Sequence, residues 1–492
     1  MGGNVLIVAP WGNPKGWKKA RYEYKGLSVL TRSSAIFLTE KAVRNNLEPR
    51  LLILAPDTLY PSFNYEEMPY SSMTNVVKET LKEEIADIVG ESKGISEEAA
   101  DSLRRAEIFV LPGIGSFRVR ERQVEFSFEG PLSIYRNLSF LKIVLSILNL
   151  SPSRVWIDLT HGVNYLPVLT YRSFLDALEA YALIKGEDAK TLRRIYSVFN
   201  SDPFDATKGE GQRLLVHKLS GVGVEAVRPP RLDELPRLSV GKSPIGVGDN
   251  VPLERRREVA ELYSEVEREI LDLKERVLLT IGSIEKGAFL PIFHFSELKG
   301  LWTDILLKGI ISKILTLFCS KSNEVRKEGN GLIKIKRLLK IDDEIVQLVK
   351  ALSIISYVKR ILEDIRESAD NFATLRELRI FAERMKPLVP APVYVMCVRE
   401  YGNIARCLLK RIKEGDLREK GKLSDIIPGE EGLDKRNFIA HAGLERNVTL
   451  YRLREKPSTF KPDISIGELM RLVELTYSES KAEDVKKIVK DT

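Results

Sequence analysis

The sequence predicts an α/β domain followed by an all-helical one, and three observations carry that expectation. Over the first two hundred residues, short β-branched runs alternate with amphipathic stretches, whereas helical periodicity dominates from Leu253 onward. Between the two, residues 220–252 are rich in Gly, Pro and Val with scattered charges, including Pro229-Pro230, as in a connector. The boundaries that follow are 1–222 for the first domain, 223–290 for a connector with a helical part, and 291–492 for the helical domain.

In chain order, the β-rich runs are 4–9, 51–55, 107–111, 154–159 and 194–199, and the helical patterns between them lie at 31–46, 74–89, 131–149 and 165–184. Strands alternating with helices form a mostly parallel sheet covered on both faces. Right-handed crossovers then gather the carboxyl ends of the strands on one edge, where such sheets bind ligands. The helical half reads as 253–278, 294–319, 333–367, 371–386, 394–414, 434–446 and 466–490, with a charged loop at 320–331.

Composition narrows the function classes. The 492 residues are 43% hydrophobic and 30% charged, which suits a globular protein with full cores. No apolar run reaches the length needed to span a bilayer and no signal-type leader is evident, so a cytoplasmic protein without membrane attachment is expected. Cys319, Cys397 and Cys407 have neither metal-ligand nor pairing arithmetic, so no disulfide and no structural zinc are expected. The net charge of +8 favours phosphate-bearing partners.

Two places carry candidate chemistry. In Asp434-Lys-Arg-Asn-Phe-Ile-Ala-His441, Asp434 reads as a helix N-cap, and Asn437 and His441 stand four apart on one face with Arg436 beside them. An imidazole, an amide and a permanent cation suit metal-free cleavage of a phosphodiester. RNA is the natural substrate, because its own 2′-hydroxyl is the nucleophile. The spacing Arg, four to six residues, His also occurs at Arg154 to His161, so at least one of the two matches is accidental. The second place is the row of loops after the strands: Trp11, Gly12, Asn13 and Pro14; Gly113, Ile114, Gly115 and Ser116; and Asp158, Thr160, His161, Gly162 and Asn164. Their small residues and exposed amides can cradle phosphate, and Ser33 and Ser34 at the first long helix add hydroxyls. Trp11, Trp17 and Tyr165 are candidate stacking surfaces for a base.

Trp11-Gly-Asn-Pro14, Asp158-Leu-Thr-His-Gly-Val-Asn164 and Arg436-Asn-x-x-x-His441 together resemble the CARF–HEPN ancillary ribonucleases of type III CRISPR systems. The resemblance covers nearly the whole chain, with a Rossmann-like CARF sensor first and a helical HEPN nuclease second. It implies a homodimer or higher homo-oligomer in which two CARF domains bind a cyclic oligoadenylate, most often cyclic tetra-adenylate, at the residues just named. It further implies that this activator switches on cleavage of single-stranded RNA by Arg436, Asn437 and His441, with no catalytic cofactor and with 2′,3′-cyclic phosphate and 5′-hydroxyl products. The alternative is a ligand-responsive transcription regulator that binds DNA, a reading that leaves Arg436 and His441 without a task.

Overall fold

The computed structural model describes residues 2–119, 122–162, 164–219, 230, 232, 238–295, 304–329, 331–368, 371–427, 433–461 and 463–490. The chain divides into two compact units. The first comprises Met1–Pro229, Ser243–Ile270 and Leu307–Val346; the second comprises Pro230–Lys242, Leu271–Leu306 and Gln347–Thr492.

The first unit is the expected α/β domain. Strands β1 (Asn4–Pro10), β2 (Ala20–Tyr24), β3 (Leu27–Thr31), β4 (Glu48–Pro56), β5 (Glu107–Leu111), β6 (Gly115–Val119), β7 (Val124–Glu129), β8 (Arg154–Asp158), β9 (Tyr196–Ser201) and β10 (Arg213–Lys218) occur in its N-terminal segment. Five of them, in the order β9-β8-β1-β4-β5, are parallel and are the runs expected from sequence. Helices Ser34–Arg44, Tyr70–Glu91, Leu132–Leu150 and Leu166–Lys185 fall within a few residues of their expected positions. On β8, alternation sends Trp156 into the core cluster that the Ser34–Arg44 helix covers with Ile36, Phe37 and Leu38. The β2–β3 hairpin and β10 extend the sheet to eight strands; their mixed polar sequences hide the pattern.

Three expectations on the later chain are corrected. The segment Leu307–Val346, assigned to the helical domain, belongs to the first unit. There, β11 (Ile245–Val247) pairs with β14 (Leu339–Ile341), and β12 (Asn323–Glu328) and β13 (Leu332–Arg337) form a hairpin where a charged loop and a helix start were expected. The reason lies in period two: Ile333, Ile335 and Arg337 are buried while Lys334 and Lys336 between them are half-exposed, and Gly329 and Gly331 make the turn with φ of 58° and 97°. Lys334 and Lys336 reach Glu328 at 2.6 and 3.7 Å, so the charges that suggested a loop are ladder pairs. β13 then pairs in parallel with β7, giving a second sheet in the order β12-β13-β7-β6 whose Phe126, Phe128, Ile333 and Ile335 join the same core as Val5 and Ile7. Part of the expected connector, residues 220–229, lies outside the described residues.

The join between these sheets is ionic and buried. Asp57 and Arg337 have side chains 1% and 2% exposed and meet at 2.6 Å. Arg337 also donates to Gly113 O at 2.8 Å and to Asn323 Oδ1 at 2.9 Å, while Asp57 accepts from Gly113 N and Tyr70 Oη, each at 2.8 Å. Burial is the largest single influence and works against the charge on Arg337, but Asp57, Tyr70 and Tyr165 together outweigh it and raise its pKa.

The second unit is largely helical, as expected, with helices Leu375–Met385, Ala391–Glu414 and Ala482–Lys490 among its described elements. It also carries a small antiparallel sheet in the order β15-β18-β17-β16, from β15 (Ala373–Thr374), β16 (Lys420–Lys422), β17 (Thr449–Leu453) and β18 (Val473–Tyr477). β18 interrupts the expected helix 466–490, because Val473-Glu-Leu-Thr-Tyr477 is β-rich and fully buried.

Replacing Arg337 by Met leaves Asp57 buried without its cation and is expected to cost about 3–5 kcal/mol, read as a lowered urea midpoint. The Asp57→Asn/Arg337→Met double variant should recover part of that loss.

Candidate functional site

In the second unit, Lys435–Ala440 is a short helix that begins as the sequence predicts: the Asp434 carboxylate accepts from Asn437 N at 3.0 Å. It stops earlier than expected. His441 is the C-cap, still donating its amide to Asn437 O at 3.1 Å, and the chain then turns left-handed at Ala442 and Gly443 with φ of 53° and 75°. Gly443 N bonds Phe438 O at 2.8 Å and Ala442 N bonds Ile439 O at 3.1 Å, the paired bonds that close a helix C-terminus. Gly443 cannot carry a side chain, since a Cβ there would lie 2.5 Å from Ala288 Cβ. Tyr477 Oη donates to Gly443 O at 2.6 Å, and buried Phe438 anchors the inner face. This turn is pinned on both sides, and His441 stands on it.

The His441 side chain is 28% exposed, and its Nδ1 lies 3.1 Å from Glu400 Oε1, a carboxylate 11% exposed on the Ala391–Glu414 helix. Sequence reasoning missed Glu400, because forty-one residues separate it from His441 and a lone Glu inside a helix has no signature. With Nδ1–H donated to Glu400, the lone pair of the imidazole resides on Nε2, an assignment made from the hydrogen-bond network. Asn437 is half-exposed on the same short helix. Arg436 is exposed and has no partner among the described residues. The arrangement is thus an oriented base or acid with an uncommitted guanidinium close in sequence.

In the first unit, the loops after β1, β5 and β8 converge as expected. Gly12 N donates to His161 O at 3.2 Å. The Asn13 side chain caps Pro14–Gly16 by accepting from Lys15 N. Trp17 stacks on His161 with centroids 4.0 Å apart and meets the buried Trp11 edge-on at 4.9 Å. Ser33 caps the Ser34–Arg44 helix, and Ser34 Oγ donates to Asp158 Oδ2 at 2.7 Å while its amide donates to His161 Nε2 at 3.2 Å. Tyr22 Oη lies 3.2 Å from the same nitrogen. Two donors on Nε2 require a neutral ring, and burial lowers His161 from the usual 6.5 to about 3. Asp158, fully inside, is raised by burial against the pull of Ser34 and Thr160.

The expected ligand residues therefore divide. Trp11, Ser33, Ser34, Asp158 and His161 are engaged inside the unit and shape the loops. Asn13, Ile114, Gly115, Ser116, Thr160, Gly162 and Asn164 are half-buried or exposed, whereas Gly12, Pro14 and Gly113 are buried backbone; Val163 lies outside the described residues. Gly113 is held by Asp57 and Arg337, and Tyr165 Oη accepts from Ile114 N at 3.1 Å. A Cβ on Gly113 would meet Thr58 Cγ2 at 2.9 Å and Tyr165 Oη at 3.0 Å. Trp11 Nε1 and Thr160 Oγ1 are buried without a hydrogen-bond partner among the described residues. The duplicate match is also accounted for: Arg154 opens β8 and His161 lies beyond its far end, so a strand of about 17 Å separates them.

His161 makes a testable contribution to stability. The folded state keeps it neutral and the unfolded chain protonates it below pH 6.5, so its contribution is present above 6.5 and lost as the pH falls toward about 3. Thermal unfolding at pH 7 and pH 4.5 should show a smaller difference for His161→Gln than for the unsubstituted protein; an equal difference would mean that the ring titrates freely.

Residues 6–203 match the family model of the CRISPR system endoribonuclease Csx1, CARF domain, and residues 395–458 match that of the CRISPR system endoribonuclease Csx1, HEPN domain. The second match contains Glu400, Arg436, Asn437 and His441. The chain is 28% identical over 458 residues to the CRISPR system endoribonuclease Csx1 of Methanocaldococcus jannaschii, covering 90% of this chain and 86% of that protein. The regulator alternative gives way to these matches, and the chain belongs to the CARF–HEPN family of CRISPR-associated endoribonucleases.

Proposed function

We propose that this protein is a cytoplasmic homodimer that cleaves single-stranded RNA without a metal ion when a cyclic oligoadenylate, most often cyclic tetra-adenylate, occupies the loops at the carboxyl edge of its parallel sheet. The observation that carries the nuclease half is the His441–Glu400 pair: a carboxylate fixes one imidazole nitrogen of a partly exposed ring, and the other has no hydrogen-bond partner among the described residues. Nε2 exchanges a proton with the 2′-hydroxyl or the leaving 5′-oxygen. The 2′-oxygen forms its bond to phosphorus as the bond to the 5′-oxygen breaks, leaving a 2′,3′-cyclic phosphate and a 5′-hydroxyl. Arg436 steadies the charge that builds on the non-bridging oxygens, and Asn437 orients the imidazole or the phosphate.

Support for the activator half is the convergence of the loops after β1, β5 and β8 through Gly12 N on His161 O and Ile114 N on Tyr165 Oη, beside which Asn13, Ile114, Thr160 and Asn164 are half-buried or exposed. A two-fold pocket made by two copies suits a ring of repeated nucleotides, since each half-ring meets the same residues. The ligand acts by binding the active arrangement more tightly than the inactive one.

The test is cleavage of a labelled single-stranded RNA in EDTA, with and without cyclic tetra-adenylate. Activation by the ring is expected, with His441→Ala lowering the rate at least about 10²-fold. Cleavage that survives in His441→Ala would place the chemistry elsewhere, and 5′-phosphate products would refute 2′-hydroxyl attack. Glu400→Gln should lower kcat by at least about tenfold with KM little changed, because the neutral amide can donate to Nδ1 and hold the ring in the wrong tautomer rather than removing a substrate contact.

A further inference from the structure

The Ala391–Glu414 helix presents two faces of opposite purpose. Cys397, Glu400, Tyr401, Ile404, Ala405 and Leu408 are buried, with Glu400 turned to His441. On the outer face stand Val395, Arg399, Gly402, Arg406, Lys410 and Lys413, which fall within about 80° of one another at the helical repeat and extend over about 27 Å. Val395 is 58% exposed. The helix has only two carboxylates, Glu400 on the buried face and Glu414 at its end, so the outer stripe is purely cationic.

Two cations of the stripe stand apart. Arg406 donates to Asn403 and Lys410 lies 3.8 Å from Glu414, whereas Arg399 and Lys413 have no partner among the described residues, and of these two Arg399 directly precedes Glu400. Gly402 is a second anomaly. Glycine inside a helix costs about 1 kcal/mol relative to alanine. No packing among the described residues calls for it, because a Cβ there would find among them only Arg406 Nη1, at 3.8 Å. A glycine with open space above it in a cationic stripe admits the close approach of something outside the chain, and the charge selects a polyanion.

We infer that the outer stripe of the Ala391–Glu414 helix is the track along which the RNA strand lies, with Arg399 gripping a phosphate next to the scissile one and Gly402 letting the backbone approach. The inference rests on the reading of His441 as the reacting group. It adds a substrate-binding residue that the Arg436–His441 spacing does not contain.

The experiment measures binding of a short labelled RNA, 2′-deoxy at its cleavage site, to the full-length protein across a salt series. Arg399→Ala should weaken binding about tenfold and reduce the slope of log K against log salt by about 0.7, the loss of one phosphate contact on a single strand. Arg399→Lys should restore most of it. In cleavage of the ordinary RNA, Arg399→Ala should raise KM with kcat within about twofold. Gly402→Leu, which favours the helix, should weaken binding without lowering the melting temperature. Unchanged affinity and slope for Arg399→Ala, or loss of kcat at constant KM, would overturn the track. So would a changed oligomeric state with RNA affinity intact, since a second copy would then occupy this face. If the unsubstituted protein binds RNA with the expected salt dependence but never cleaves it, the nuclease reading fails while the track stands.

Discussion

The buried Asp57–Arg337 pair is the constraint on which the first unit depends. One carboxylate and one guanidinium, both withdrawn from water, satisfy each other and also fix the Gly113 amide and carbonyl, the Tyr70 hydroxyl and the Asn323 side chain. A charge in such a place is costly unless every partner is in position, so the pair forces the end of β4, the loop after β5 and the end of β13 to one point. That point underlies the Gly113–Ser116 loop at the carboxyl edge of the sheet. Residues some 280 apart in sequence thereby set the shape of a loop neither belongs to.

The two candidate sites use polar groups in opposite ways. At the sheet edge, His161 is neutral, doubly hydrogen-bonded and stacked under Trp17, so it serves as a strut between the Ser34 helix and the loop after β8. In the second unit, His441 is held through Nδ1, and its Nε2 has no hydrogen-bond partner among the described residues. The same side chain is structural where one face and its lone pair are taken up by the fold, and able to exchange a proton where one nitrogen has no partner among the described residues. Geometry separates the two Arg–His matches that spacing alone left equal.

Much of the fold was legible in the sequence, and the reasons are local. The parallel strands are continuous runs of Val, Ile and Leu, and the helices between them have amphipathic repeats long enough to outweigh end effects. Asp434 was readable as an N-cap because a carboxylate three residues before an exposed amide is a local arrangement. The hairpin Asn323–Arg337 was not legible as strand: its Lys, Arg and Glu content mimics a solvated loop, and only the partner strand β7 gives its alternation a buried side. The small sheet of the second unit was hidden similarly, its strands being as short as two or three residues.

By itself the sequence determined the order of the two folds, the loops that follow the parallel strands, and the presence of Arg436, Asn437 and His441 on one short segment capped by Asp434. These depend on residue type and near-neighbour spacing, which a linear chain displays directly. Only the tertiary structure decided that Leu307–Val346 returns to the first unit, that Arg337 supports the Gly113 loop, that His161 is neutral, and that Glu400 orients His441. Each of these is an electrostatic or hydrogen-bonding relation between distant residues, and its strength is set by distance and burial, which exist only once the chain has folded.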